Sequence, residues 1–268
     1  TASSSQSSAP SLLRCLRDVG AAEQVLDQLA NRTTGDTQQQ AQATVNGILT
    51  QVRQQGDRAL IELTQRFDHF RPEPLQVAPT QLEQAWTNTS NDLRDALELA
   101  HRRIQDFHQR QKPKDLEIEG VHGERLGRRW RPVLRAGLYV PGGRAAYPST
   151  VLMNAVPARA AGVDRIVMVT PAGPDGEVNQ TVLAAAHLAG VHEVYRIGGA
   201  QAIAALAFGT ETVPRVDVIS GPGNIFVTLA KKAVVGQVGI DSLAGPSEVL
   251  VIADHTARVE QVAADLLA

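Results

Sequence analysis

Apolar positions in the first hundred residues recur at helical spacing. Val45, Ile48, Leu49 and Val52 form one stripe and Ala59, Leu60, Leu63 and Phe67 a second, with Gly56 and Asp57 between them. A longer stripe, Leu93, Leu97, Ala100, Ile104 and Phe107, opens at Ser90 or Asn91 and closes at Lys112 and Pro113. The pattern predicts a mainly helical N-terminal module over residues 12–135. Its last part, from Gly120, is polar and carries Arg125, Arg128, Arg129, Arg131 and Arg135 around Trp130. Glu117, Glu119 and Glu124 interleave with these arginines, which predicts a solvated strand or hairpin over a nucleic-acid surface.

After Leu138 the period changes. Short β-branched runs alternate with Ala-rich stretches, predicting strands at 138–140, 165–170, 193–197, 216–219 and 248–253. Helices are predicted at 150–161, 177–189, 199–207 and 223–234. The run Ala161-Gly162-Val163-Asp164-Arg165-Ile166-Val167 is echoed 28 residues later by Ala189-Gly190-Val191-His192-Glu193-Val194-Tyr195. In each copy a helix ends at Gly and a strand begins, the repeat of a doubly wound parallel sheet. The fold class is α/β.

Length and charge narrow the function. At roughly 150 residues per domain, 268 residues make about two domains. With 26 basic against 28 acidic residues the net charge is −2, no footprint for nucleic acid or an anionic membrane, and a small uncharged partner fits better. No apolar run reaches the roughly 18 residues of a membrane span. Cys15 is the only cysteine, which excludes a disulfide framework and a multi-cysteine metal site. Residues 1–11 hold six serines and no acidic residue, and are expected to be disordered. Such starts also occur in organelle transit peptides, but the first arginine is Arg14, so the cytoplasm is the expected location and a plastid the alternative. Val259, Val262, Ala263, Leu266 and Leu267 predict a helix that reaches Ala268 without a closing signal, as if the chain stopped within an element.

In a parallel sheet of this kind ligands sit beyond the carboxyl ends of the strands. Three glycine loops occupy such places: Tyr139-Val140-Pro141-Gly142-Gly143, Ile197-Gly198-Gly199-Ala200-Gln201 and Ser220-Gly221-Pro222-Gly223-Asn224. Each alone is equally well a ligand-free turn; three at one sheet edge favour an anion cradle. The GxGxxG fingerprint is absent, because Phe226 stands where the third small residue belongs, so a dinucleotide here needs a modified crevice. Ala244-Gly245-Pro246-Ser247-Glu248 reads on pattern alone as an ordinary turn. His101 and His108 share a helix face but lie about 10 Å apart along it, too far for one metal. No general base, nucleophile or metal site emerges from the residues.

The strings 137–143, Pro148-Ser149-Thr150-Val151-Leu152-Met153-Asn154, 198–206, Gly221-Pro222-Gly223-Asn224 and 244–250 together resemble histidinol dehydrogenase, as does the segment from Gly56-Asp57-Arg58-Ala59-Leu60 to Arg66-Phe67-Asp68. The resemblance implies NAD-dependent oxidation of L-histidinol to L-histidine through L-histidinaldehyde, with zinc positioning the substrate, in a homodimer. It implies an incomplete Rossmann-like NAD-binding domain over residues 136–243 and a first domain split between 12–135 and 244–268. Tyr139, Gln201 and Asn224 match NAD-contacting positions, and Ser247 matches a substrate-contacting one. The family's zinc ligands and its Glu-His proton-transfer pair match no position here, so the 268-residue chain alone is expected neither to hold zinc nor to turn over histidinol. A non-catalytic nucleotide-binding module and a different NAD-dependent alcohol dehydrogenase are the alternatives.

Overall fold

In a computed structural model of the chain, residues 16–30, 36–142, 146–243 and 249–267 are described. The serine-rich start, Cys15 and residues 244–248, with Ser247, lie outside them. Two compact units are distinguished, residues 1–43 and 44–268. The first contains α1 (Val19–Ala30) and the start of α2 (Asp36–Gln55).

Three helices continue the second unit: α3 (Asp57–Asp68), α4 (Pro79–Asn88) and α5 (Asn91–Gln111). The stripes behave as helical faces should. Ala59, Leu60 and Leu63 of α3 are buried, as is Leu97 of α5, with Leu93, Ala100 and Ile104 packed against the core. Phe67 and Phe107 depart from the pattern and are exposed, so each stripe is narrower than its spacing predicts. Ser90 stands at the N-cap of α5, but its side chain makes no capping hydrogen bond. The arginine-rich stretch forms an antiparallel hairpin, β1 (Leu116–Glu119) with β2 (Arg125–Arg128), exposed at every position.

The remainder alternates strand and helix: β3 (Arg135–Tyr139), α6 (Pro148–Ala161), β4 (Arg165–Val169), α7 (Gln180–Leu188), β5 (Glu193–Tyr195), α8 (Gly199–Phe208), β6 (Val218–Ser220), α9 (Ile225–Val234), β7 (Gly239–Ile240) and finally α10 (Val259–Leu267). The larger sheet is parallel throughout, in the order β5-β4-β3-β6-β7. The chain thus moves one way from β3 and then returns to its other side, so the switch point lies between β3 and β6. Alternate residues of β3 face opposite ways. Ala136 and Leu138 enter the core formed with α6 and α7, while Gly137 faces Leu206 of α8. A further layer covers the first face, α4 packing on α7 and α5 on α6; α3 packs on α8 across the sheet.

Both copies of the internal echo end a helix at a left-handed glycine, Gly162 (φ 95°) and Gly190 (φ 72°). Arg159 bridges the copies, donating to the carbonyls of Val163, Asp164 and Gly190. The outer edge of β5 is closed by residues 75–77, where the Val77 N–H bonds the Val194 carbonyl at 2.8 Å and the Arg196 N–H bonds that of Leu75 at 3.0 Å. The strand expected at 248–253 does not form: residues 249–253 are irregular, and Val249, Leu250 and Ile252 are exposed. No described strand offers that run a ladder, so its β-branched composition has nothing to pair with.

Candidate functional site

The loops after β3 and β6 meet at the carboxyl edge of the sheet, at the switch point. Gly221 follows β6 with φ +121°, a conformation that disfavours any residue with a Cβ. A Cβ at Gly221 would stand 2.1 Å from the Tyr139 carbonyl oxygen, so the close approach of the two loops also requires glycine. The loop after β4 supplies Pro171, which sequence reasoning missed. It lies against both other glycine loops: a Cβ at Gly142 or at Gly198 would come within 2.7 or 2.8 Å of its ring. One proline therefore draws together loops that are 56 positions apart in the chain, a relation that no local pattern carries. Beside it Pro141, Gly142, Thr170, Asp175 and Val178 line a cleft of about 560 Å³.

Tyr139 ends β3 and is 4% exposed. Its hydroxyl accepts the Gly199 N–H at 3.2 Å, tying β3 to the first turn of α8. Burial pushes its pKa up to about 12, with the nearby Asp68 carboxylate adding and the Gly199 N–H opposing. The phenol therefore stays protonated at neutral pH and acts as a hydrogen-bonding group, not as a base.

Gln201, in the first turn of α8, is 2% exposed on a helix otherwise rich in alanine. Its Oε1 folds back to 2.8 Å from where a Cβ on Gly199 would stand. Among the described residues its carboxamide has no hydrogen-bond partner. Gly198 holds the N-cap position of α8 and has no side chain to cap the free N–H groups of that first turn. The polar atoms of Gln201 are not among those sealed from solvent without a partner, so the carboxamide reaches solvent beside first-turn N–H groups that have no side-chain cap, and a ligand could meet both.

Asn224 is placed differently. It is the N-cap of α9, and its Oδ1 accepts the N–H groups of Phe226 (3.0 Å) and Val227 (3.1 Å). Its residue surface is exposed, three positions beyond Gly221. Phe226, whose place in the fingerprint predicts that it keeps α9 from packing closely on the sheet, is exposed, and Val227, Leu229, Ala230, Lys231 and Val234 are the residues buried on α9. The structure thus brings Tyr139 and Gln201 together at Gly199, while Asn224 stands on the loop whose Gly221 touches the Tyr139 carbonyl. Ser247 lies outside the described residues. Among the described residues no group of three or more His, Cys, Asp or Glu side chains is placed to hold a metal ion.

Two more residues stand behind the loops. Lys231 of α9 is 1% exposed; its ammonium donates to the Gly221 carbonyl at 2.9 Å and to Asp241, just after β7. Asp241 in turn accepts the Gly221 N–H at 2.9 Å. Burial works to raise the Asp241 pKa, but hydrogen bonds from Lys231, Gly221 and Ser242 and the lysine charge hold it below the usual carboxylate value. One sequence signal was available: Lys231 is four residues after Val227 and three before Val234, on the apolar stripe of its helix.

The comparisons agree with this geometry. A family profile for histidinol dehydrogenase matches residues 31–268. Histidinol dehydrogenase of Prochlorococcus marinus (strain MIT 9313) is 71% identical over 264 residues, covering 98% of this chain and 60% of its own length. That of Parasynechococcus marenigrum (strain WH8102) is 70% identical over 256 residues, covering 96% and 59%. The crystal structure of histidinol dehydrogenase from Elizabethkingia anophelis superposes with a TM-score of 0.81 at 39% identity, over 90% of this chain and 57% of that one. The chain therefore spans about 60% of the length of the curated relatives it matches. A parallel sheet with its glycine loops gathered at the switch point, matched over nearly the whole chain at such identity, places this chain in the histidinol dehydrogenase family.

Proposed function

We propose that the crevice formed by Tyr139, Gln201 and Asn224 binds NAD, and that the whole protein oxidises L-histidinol to L-histidine through L-histidinaldehyde, the closing steps of histidine biosynthesis. The observation that carries the reading is Gln201, a polar residue 2% exposed in the alanine-rich first turn of α8, whose carboxamide has no hydrogen-bond partner among the described residues. Loops closely packed on Pro171 and Tyr139 supply the tight backbone approach that a dinucleotide needs.

Each residue has a distinct task in this reading. Gln201 offers one acceptor and two donors to the ligand. The Tyr139 hydroxyl, with its acceptor side turned to Gly199, has its own proton to donate. Asn224 fixes the start of α9 with Oδ1 and leaves its amide nitrogen for the ligand. Bound NAD supplies the hydride acceptor for both oxidations. Residues 136–243 form the NAD-binding domain, with 12–135 and 244–268 contributing to a split first domain, and Ser247 contacts substrate. The protein works as a cytoplasmic homodimer. The zinc of the family finds no group of three or more His, Cys, Asp or Glu side chains to hold it among the described residues.

Titration calorimetry of the chain with NAD tests the cofactor reading. Saturable binding is expected, with Gln201→Ala weakening it at least about tenfold, the equivalent of ~1.4 kcal/mol. Binding equal in Gln201→Ala and the parent would remove the residue on which the reading stands.

A further inference from the structure

Behind the crevice a polar network joins the two sides of the switch point. The Lys231 ammonium and the Asp241 carboxylate grip the Gly221 carbonyl and N–H respectively, so a single residue is held on both of its peptide groups. Asp241 Oδ2 also lies 3.3 Å from the Ser220 hydroxyl, whose shorter contact is with Asn154 Oδ1 on α6. A hydroxyl has one proton, and Asn154 turns its amide to the Thr150 carbonyl at 2.7 Å, so its oxygen is the acceptor for Ser220. The network therefore runs from α9 and the end of β7, through the Gly221 turn, to α6, the helix that follows the β3 loop.

A buried lysine is expensive to keep charged unless its geometry is met, and hydrophobic residues of similar size often serve stability as well. The pair is better explained by what it holds. Gly221 is pressed against the Tyr139 carbonyl in a backbone conformation with little steric latitude, and Asn224 follows three positions later on the same loop. We infer that Lys231 and Asp241, with Ser220 and Asn154, are positioning residues that set the spacing of the nucleotide crevice. The inference rests on the reading of that crevice as the NAD site. The pair touches Gly221 and not the ligand; its effect passes through the loop.

The test compares Lys231→Met and Ser220→Ala with the parent and with Gln201→Ala, by NAD calorimetry and amide hydrogen exchange. Lys231→Met leaves no buried charge behind, because the Asp241 side chain is 33% exposed and can be rehydrated. Ser220→Ala removes only a hydroxyl and keeps the test open should Lys231→Met not fold. Expected for Lys231→Met are a rise in Kd for NAD of about tenfold or more and faster exchange confined to residues 221–224, with β3, β4 and β5 unchanged. Ser220→Ala is expected to raise Kd by a smaller factor, about threefold. Exchange faster throughout the sheet with unaltered Kd marks a purely structural pair and overturns the inference. So does parent-like binding in both variants while Gln201→Ala loses it. If the parent binds no NAD, the crevice reading falls and the inference with it.

Discussion

Asn224 caps α9 and, in the proposed reading, also contacts NAD, two roles that can be separated. Its Oδ1 caps α9, so Asn224→Ala is expected to cost about 1 kcal/mol of stability, as lost caps do. Aspartate caps a helix as well as asparagine. Asn224→Asp should therefore keep the parent's urea midpoint, yet weaken NAD binding, because it replaces an amide donor with a negative charge facing an anionic ligand. If Asn224→Asp lowered stability and left binding intact, the residue would be a cap and nothing more. Asp68 offers a test by pH. Burial raises its pKa, with His69 opposing, and its Oδ2 is buried without a hydrogen-bond partner. A carboxyl whose pKa is raised in the folded state is strained when ionised, so it disfavours folding above that pKa and ceases to do so as the pH falls through the carboxylate range. Asp68→Asn should accordingly be more stable than the parent in urea at neutral pH, with the advantage fading on acidification. An advantage that persisted unchanged at acid pH would contradict this.

At the scale of elements, most of the second unit was legible in the sequence. Periodicity places β3, β4, β5 and β6 and the helices between them to within a few residues, because each combines a β-branched or alanine-rich run with a glycine boundary. β7 escaped notice: Gly239–Ile240 is too short to carry a period. The run at 249–253 has the composition of a strand but no neighbour to pair with, and composition cannot report a missing partner. The internal echo shows the same division. Its glycine caps could be read from the repeat itself, whereas the bridge between the copies, Arg159, is visible only in space. Arg159 serves three carbonyls, on the α6–β4 and α7–β5 turns. Arg159→Ala is expected to destabilise by about 2 kcal/mol, since partly buried acceptors lose a charged donor, and a urea midpoint equal to the parent's would show the bridge to be idle.

For the whole molecule, the site divides along similar lines. The glycine loops that carry Tyr139, Gln201 and Asn224 stand at strand and helix boundaries, where chain grammar points to them, and the family resemblance singled out the three residues within them. Pro171 and the Lys231–Asp241 pair were harder to find, because their meaning comes from contacts the fold creates between loops. The matched relatives are longer than this chain, and α10 buries none of its residues while Leu266 and Leu267 stand exposed. The residues of the proposed NAD crevice, Tyr139, Gln201 and Asn224, all lie within the second unit, so the proposal can be measured on the chain as it stands. The most direct measurement is the calorimetric titration of the 268-residue chain and its Gln201→Ala variant with NAD. Saturable binding by the parent, weakened at least about tenfold in the variant, is the predicted result; no binding by the parent, or equal binding by both, contradicts the account.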